Sequence, residues 1–388
     1  MQKILWLTSW YPNKTDMFTG DFIQRHAKAV SKFYHVIVLH VAKADHPFFP
    51  GESYEEINQS ENLTEHIVYY KCDTPLKPLN KFNSLLKYKK IFRKLILVYK
   101  NESIPLSHVH VPLKAGLLGM WLKQKYKVPY ILTEHYGIYN NIVDEPFNKR
   151  DILFKFFTKK IIRESAIFSP VSRNVGVAIN KMVIDKPFSV VYNTVDISLF
   201  YYKPATSNKF RFIHVSNMHP LKNVEGIIHS FAAVWQENIE LELVLVGKYD
   251  NSILELAQKT QMLDKSIFFT GEISYDEVAK QMQTADAFIL FSKTENMPCV
   301  ILESLCCGLP VISTNVGGIP EVVNESNGIL IESANEDALK EAIRIMVKDY
   351  HQYNRAAISK NAIQKFSYEE IGKQISQLYQ QVLFHQLY

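Results

Sequence analysis

No Asp-x-Asp, HExxH, GxSxG or CxxC occurs anywhere in the 388 residues of this chain. The first absence argues against a diphosphate bridged through a carboxylate-bound Mg²⁺ or Mn²⁺, because those ions recruit oxygen ligands. The second and third remove zinc-protease and α/β-hydrolase chemistry. Four cysteines (Cys72, Cys299, Cys306 and Cys307) without paired spacing give neither a disulfide framework nor a structural zinc site. That usage fits a reducing, cytoplasmic compartment. Glycine is scarce (14 residues) and proline ordinary (16), which excludes fibrous and low-complexity architectures. No apolar run approaches the roughly 18 residues of a membrane span. The N-terminal apolar stretch stops at SWYP (9–12), too soon for a secretory leader, so residues 3–7 read as a first strand.

What is present is enough apolar material for large cores, 47% of residues against 21% charged. At roughly 150 residues per domain the length predicts two or three domains. Short β-rich runs at 34–41, 107–111, 130–132 and 188–192 alternate with helical patterns at 20–32, 113–126 and 172–182. The rhythm pauses over the aperiodic stretch 196–209. It resumes with strands at 210–215, 241–246, 267–270 and 287–291 and helices at 223–236, 252–261 and 275–284. Alternation of this kind predicts parallel sheets with crossover helices, hence two doubly wound α/β domains meeting near 195–208. Such sheets bind ligands at the carboxyl ends of their strands, so the cleft between the domains is the expected site.

The net charge of +5 conceals an asymmetry. Residues 77–163 hold 18 Lys/Arg against 5 Asp/Glu, a net of +13, and the remainder carries −8. The excess sits in two helix-like stretches, 81–100 (with Lys87, Lys89, Lys90, Arg93 and Lys94) and 150–163. In the second, Lys155, Lys159 and Arg163 share one face, and Leu153, Phe156, Phe157 and Ile161 lie on the other. These are either ordinary amphipathic surface helices with their apolar faces in the core, or a patch drawn to an anionic membrane surface. No nucleic-acid-binding motif accompanies them.

The chemistry is concentrated in ENMPCVILE (295–303) and SLCCGLPVISTNVGGIPEVV (304–323). A helix should begin near Pro298, since proline is tolerated in a first turn, and its free N–H groups suit an anion such as a diphosphate. Glu303 on that helix can point back toward the same ligand, where a carboxylate accepts hydrogen bonds from paired sugar hydroxyls. Two glutamates eight positions apart are common by chance; the whole block of 29 residues, 295–323, carries the signal.

That block resembles the GT-B glycosyltransferases, specifically the retaining, family-4-like group 1 enzymes. Further likeness runs along the chain in SWYPN (9–13) with GDFIQRHA (20–27), VVYNTVDISLF (190–200), LVG (245–247), FFTG (268–271) and ADAFILFS (285–292). The resemblance implies two Rossmann-like doubly wound domains facing each other across a cleft. Residues 1–195 would form the acceptor domain and 196–367 the donor domain, with a final helix over 368–388 packing back on the first.

By the same resemblance Glu303 would bind ribose hydroxyls and Glu295 those of the donor sugar. The backbone of Asn296, Met297, Pro298, Cys299 and Val300 would line sugar and phosphate, Gly20 would let backbone approach the diphosphate, and Gly271 to Ile273 would meet the base. Lys222, in HVSNMHPLKN (214–223), matches the lysine that stabilises the departing diphosphate. His135, in LTEHYG (132–137), matches a histidine beside the donor sugar, with Glu134 orienting it or touching the acceptor; His110 matches a histidine near the acceptor cleft.

Two departures stand out. Ser216 and Asn217 occupy the positions of a usual Gly-Arg phosphate clamp, leaving Asn217 or His219 as its replacement. Pro298 removes one backbone donor. The expected reaction is retaining transfer of a hexose-type sugar from a nucleotide diphosphate sugar, UDP-linked foremost, to a saccharide or glycolipid hydroxyl. No metal or cofactor is required in that reading, and cell-surface polysaccharide or glycolipid synthesis is the expected setting. The alternatives are a nucleotide-sugar epimerase or sugar phosphorylase of the same fold, or a catalytically silent sugar-nucleotide binding module.

Overall fold

The computed structural model describes residues 1–44, 53–71, 77–99, 101–140, 142–143, 145–204, 209–237 and 240–384, with the side chains of 77–82 left out. Cys72, Lys100, residues 205–208 and residues 385–388 therefore lie outside the described residues, as does the side chain of Lys81.

The first sheet comprises β1 (Lys3–Thr8), β2 (His35–Lys43), β3 (Ser53–Ser60), β4 (Leu63–Tyr70), β5 (Ser107–His110), β6 (Tyr130–Glu134) and β7 (Ile167–Pro170). Its order is β3-β4-β2-β1-β5-β6-β7, parallel throughout except for the antiparallel β3–β4 edge. The helices that cover it are α1 (Asp21–Val30), α2 (Lys77–Val98), α3 (Ala115–Tyr126), α4 (Ile152–Glu164) and α5 (Arg173–Met182). Strands buried on both faces are apolar at nearly every position, and β1 is buried from Ile4 to Thr8. Alternate residues go to opposite layers. Leu5 and Leu7 pack with Phe92 of α2, Leu118 of α3 and Ile161 of α4. Ile4 and Trp6 pack with Ile23 and Ala27 of α1 and with Ile371, Ile375 and Tyr379 near the C-terminus.

The second sheet has β8 (Phe210–Val215), β9 (Leu241–Val246), β10 (Ile267–Gly271), β11 (Ala287–Leu290), β12 (Val311–Thr314) and β13 (Gly328–Ile331) in the order β10-β9-β8-β11-β12-β13, all parallel. Its helices are α6 (Val224–Trp235), α7 (Asn251–Lys259), α8 (Tyr275–Thr284), α9 (Cys299–Cys306), α10 (Glu336–Lys348) and α11 (Arg355–Phe366). Phe212 faces α6 and α10, and Ile213 faces α8, α9 and α11. The last helix, α12 (Tyr368–Phe384), leaves this domain and lies on α1 of the other. Among the described residues no helix is long and apolar enough to cross a membrane. The molecule is thus two α/β domains, each with a strand-order reversal, at β1/β5 in one and β8/β11 in the other.

Two readings of the sequence need correction. Residues 188–192 run along the edge of β7 without forming a strand: only the bridge Phe168–Phe188 forms. The Ser189 and Val191 N–H groups donate to Phe168 and Pro170 carbonyls at 3.1 and 3.2 Å, but Pro170 has no N–H to return and the ladder stops. The apolar face of α4 is only half core. Ile161 is buried, whereas Leu153 and Phe156 are 68% and 57% exposed beside Ile152 at 83%. The β3–β4 hairpin was not visible in the sequence because β3 is polar and exposed along its length.

Candidate active site

The two reversals face each other, and each brings its strand ends to the cleft. From the first domain come the turn before α1, His110 at the end of β5, and Glu134 and His135 at the end of β6. From the second come Asn217 to Lys222 after β8 and Ser292 to Val300 after β11.

Gly20 takes φ +79°, and a Cβ there would lie 2.7 Å from the Trp10 carbonyl carbon and the Tyr11 nitrogen. Its first requirement is therefore internal: the turn closes on the chain's own backbone. Gly317 plays the matching part opposite, at φ +58°, where a Cβ would lie 1.8 Å from the Glu295 carbonyl oxygen. The Gly-Gly step thus holds the 295–297 loop, and Gly318 N–H donates to Asn296 O at 2.7 Å.

Lys222 ends a single 3₁₀ turn, Pro220–Lys222, directly before α6. Its ammonium lies 2.5 Å from Glu295 Oε1, which also accepts from Ser292 Oγ at 2.7 Å. The cation expected on the diphosphate and the acid expected on the sugar thus hold each other. Asn296 Nδ2 crosses the cleft to the His135 carbonyl at 2.7 Å. Met297 is buried, and its carbonyl accepts from Asn193 Nδ2 at 2.8 Å. Pro298 precedes α9 in extended conformation without a side-chain cap, and Cys299 and Val300 open the helix. Burial pushes the Cys299 thiol up to about 12, so it stays protonated. Asn217 and His219 sit exposed in the loop after β8, where Asn217 Oδ1 accepts from His219 N–H at 3.3 Å and His219 Nδ1 from Leu221 N–H at 3.3 Å. Gly271 takes φ +71° at the end of β10 with open space where a Cβ would be, and Ile273 is partly buried against the core that contains Val215.

Glu303, expected on ribose hydroxyls, is held by protein groups from both domains. It is 2% exposed, and Oε1 accepts from Tyr275 Oη at 2.8 Å and from the guanidinium of Arg25. Arg25 belongs to α1 of the other domain and also holds Asp21 Oδ2 at 2.9 Å. Arg25 lies inside GDFIQRHA (20–27), where the only local signal for it is its position one helical turn after Asp21. Other contacts also close the cleft. Asn140 Nδ2 donates to Thr294 Oγ1 at 2.6 Å. Glu321 accepts from the N–H groups of Arg173 and Asn174 at the start of α5 at 2.8 and 2.9 Å. A carboxylate at a helix N-terminus meets both free amides and the positive dipole end.

Glu134 is fully buried, and its carboxyl meets the backbone of the loop rather than the His135 ring. Its carboxyl accepts from the N–H groups of His135 and Tyr136, both at 2.8 Å, and from Tyr139 Oη at 2.7 Å. It fixes the loop that carries His135. Burial raises it to about 7 against those three hydrogen bonds. His135 and His110 are also buried, with His110 Nδ1 and His135 Nε2 3.2 Å apart and the rings stacked at 5.5 Å. Burial, with neighbouring histidines adding to it, holds both well below the ordinary imidazole range, so both are neutral. His108 is structural: its nitrogens meet Tyr379 Oη and Thr133 Oγ1, each at 2.7 Å.

A cation paired with a carboxylate at one strand reversal, an uncapped helix start beside it and a neutral histidine across the cleft are the equipment of group transfer from an anionic leaving group. The fold and this site define a GT-B glycosyltransferase. The profile described as Glycosyl transferases group 1 matches residues 202–365, and that of Glycosyltransferase Family 4 matches residues 22–199. The chain belongs to the group 1 glycosyltransferases and is a transferase enzyme.

Among its relatives is an uncharacterised glycosyltransferase of Methanocaldococcus jannaschii, 26% identical over 98% of this chain and 99% of that one. Another is the alpha-monoglucosyldiacylglycerol synthase of Streptococcus pneumoniae, 24% identical over 74% of this chain and 69% of that one. Solved structures of the same fold include sucrose-phosphate synthase from Thermosynechococcus elongatus, with a TM-score of 0.78 at 20% identity, covering 99% of this chain and all of that one. Anabaena HepE in complex with UDP aligns at a TM-score of 0.71 and 18% identity, over 98% of this chain and all of that one.

Proposed function

We propose that this enzyme moves a hexose-type sugar, with retention, from a nucleotide diphosphate sugar to a hydroxyl of a saccharide or lipid-linked acceptor, without a metal ion. The observation that carries the reading is the Lys222–Glu295 pair at the β8/β11 reversal, set beside the start of α9 and facing His135. UDP is the favoured nucleotide, in line with the UDP held by Anabaena HepE.

In this reading the donor diphosphate draws Lys222 from Glu295. Negative charge grows on the leaving oxygen as the anomeric bond breaks. Lys222 and the amides opening α9 then meet that charge in a closed cleft, where such contacts act strongly because water cannot compete. Released from Lys222, Glu295 accepts from donor-sugar hydroxyls. Glu303 takes the ribose after exchanging Arg25 for it, which requires the cleft to open and reclose. Both glutamates have partners that suit hydroxyl binding, and neither is posed as a nucleophile of the glycosidase kind. His135 faces the sugar from the acceptor domain.

The partner on the acceptor side is an anionic membrane surface. Ile152, Leu153 and Phe156 protrude from α4, with Lys155, Lys159 and Arg163 along the same helix. The diacylglycerol named for the Streptococcus relative agrees with such a setting. The enzyme would work on the cytoplasmic face, in polysaccharide or glycolipid synthesis.

The test is incubation with a panel of nucleotide sugars and acceptors in the presence of EDTA. Sugar transfer that persists in EDTA supports the reading. Conversion of donor without acceptor would instead identify an epimerase. Nucleotide binding without turnover on any acceptor would identify a silent module.

A further inference from the structure

Three buried histidines from three elements converge behind the sugar side of the cleft: His26 of α1, His110 of β5, and His135 after β6. They are 1%, 0% and 7% exposed. One ring nitrogen from each lies within 4.8 Å of the other two, and among the described residues this is the one His/Cys/Asp/Glu group so arranged. Ring centres are 5.5 Å apart for His110 and His135, 5.6 Å for His26 and His135, and 6.3 Å for His26 and His110.

The hydrogen bonds of these rings leave ligand atoms over. His26 Nε2 meets the Tyr192 carbonyl at 3.0 Å, so that nitrogen carries the proton and Nδ1 carries the lone pair. His26 Nδ1 is buried with no partner. A ring N–H on a backbone carbonyl is the usual arrangement behind a metal-bound imidazole, because it fixes the tautomer and the ring direction. His110 Nδ1 and His135 Nε2 share one proton across 3.2 Å. Two imidazoles on one tetrahedral ion, with bonds of 2.0–2.1 Å, have their nitrogens about 3.4 Å apart. A metal ion can therefore take the place of the shared proton with little movement of either ring. The outer nitrogens, His110 Nε2 and His135 Nδ1, have no partner that would fix the opposite tautomer.

We propose that His26, His110 and His135 form a three-histidine site for a late first-row divalent metal ion of the Zn²⁺ class, and that occupying it inhibits the enzyme. Imidazole nitrogen suits Zn²⁺, Co²⁺, Ni²⁺ and Cu²⁺ and does not suit Mg²⁺ or Ca²⁺, which prefer oxygen. Inhibition follows from geometry. The ion clamps His135 in the inward position it already holds beside His110 and ties α1 to the ends of β5 and β6, so that ring is no longer free to turn out to the donor sugar. The binding half of the inference stands on the three histidines alone; the inhibition half rests on the transfer reading above.

The probe is Co²⁺, followed by its visible ligand-field spectrum, with Zn²⁺ as competitor, on the full chain stripped with EDTA. The expected result is a single saturable site with the intense bands of four-coordinate Co²⁺, abolished by equimolar Zn²⁺ and untouched by excess Mg²⁺. Zn²⁺ should also suppress sugar transfer at the same occupancy, and EDTA should restore it. His26→Gln should weaken Co²⁺ binding at least about tenfold and leave metal-free transfer unchanged, so that inhibition by Zn²⁺ is lost. A wild-type titration without such bands overturns the site, whatever the variant does. Bands that survive unchanged in both His26→Gln and His110→Gln also overturn it. Bands without loss of transfer overturn only the inhibition. If the chain transferred no sugar at all, the spectrum would still decide the site.

Discussion

Lys222 can serve a leaving group only if it is held where that group forms, and Glu295 holds it. The pair is partly shielded, with side chains 24% and 9% exposed. Lys222→Ala is expected to lower the rate of transfer by about 10²–10³, or about 2.7–4 kcal/mol of transition-state stabilisation, because one charge-directed contact is lost. Steady-state kinetics with saturating donor would show it as a fall in kcat. Arg25 tells a different story. Its buried pairing with Glu303 joins the two domains, so Arg25→Ala leaves a carboxylate in the interior with only Tyr275 for company. The expected cost is about 3–5 kcal/mol of stability, read from denaturant unfolding. An unchanged midpoint would mean that Glu303 is easily rehydrated.

At the scale of elements, α12 and α4 do opposite things with their apolar residues. α12 buries its face on α1 and inserts Tyr379, whose hydroxyl takes Trp6 Nε1–H at 3.0 Å and meets His108 Nδ1 at 2.7 Å. Tyr379→Phe keeps the packing and strands both partners, so the expected loss is about 1–3 kcal/mol, measured by chemical denaturation. α4 leaves Leu153 and Phe156 outside. Replacing both with serine should weaken binding to anionic vesicles, since each buried side chain contributes roughly 1.5–3 kcal/mol, and leave the thermal midpoint nearly unchanged. Salt should weaken wild-type binding through its basic residues. Vesicle binding that is the same in wild type and variant would remove α4 from the contact.

For the molecule as a whole, buried histidines set the response to acid. Burial lowers His40 and His214 to about 4. An unfolded chain binds their protons near pH 6.5, and the folded chain only near 4. Each group therefore contributes its stability fully above about pH 6.5 and loses it as pH falls through that window to about 4, on the order of 3 kcal/mol per histidine. Unfolding free energy measured from pH 7 down to 4 should fall steeply in that range. A flat profile there would show that other groups compensate.

Much of the architecture is legible in the sequence. Runs such as 3–7, 210–215 and 241–246 are apolar throughout, as strands covered on both faces must be, and amphipathic helices of fitting length separate them. The block 295–323, with Lys222 and His135, marks the candidate site through its family resemblance; local geometry explains only its turn glycines and its helix-opening proline. Local sequence also reports the polarity of β3 and the bulk of α4 without saying what either faces. What only the tertiary structure decides is who meets whom across the domains. Arg25 and Glu303 are 278 positions apart, and nothing short-range in either segment selects the other. The same holds for the Lys222–Glu295 pair, the three converging histidines and the exposed side of α4. Periodicity fixes which residues share a face. Whether that face meets solvent, a sheet or another domain depends on how distant segments pack, and burial then sets the charge each residue can carry.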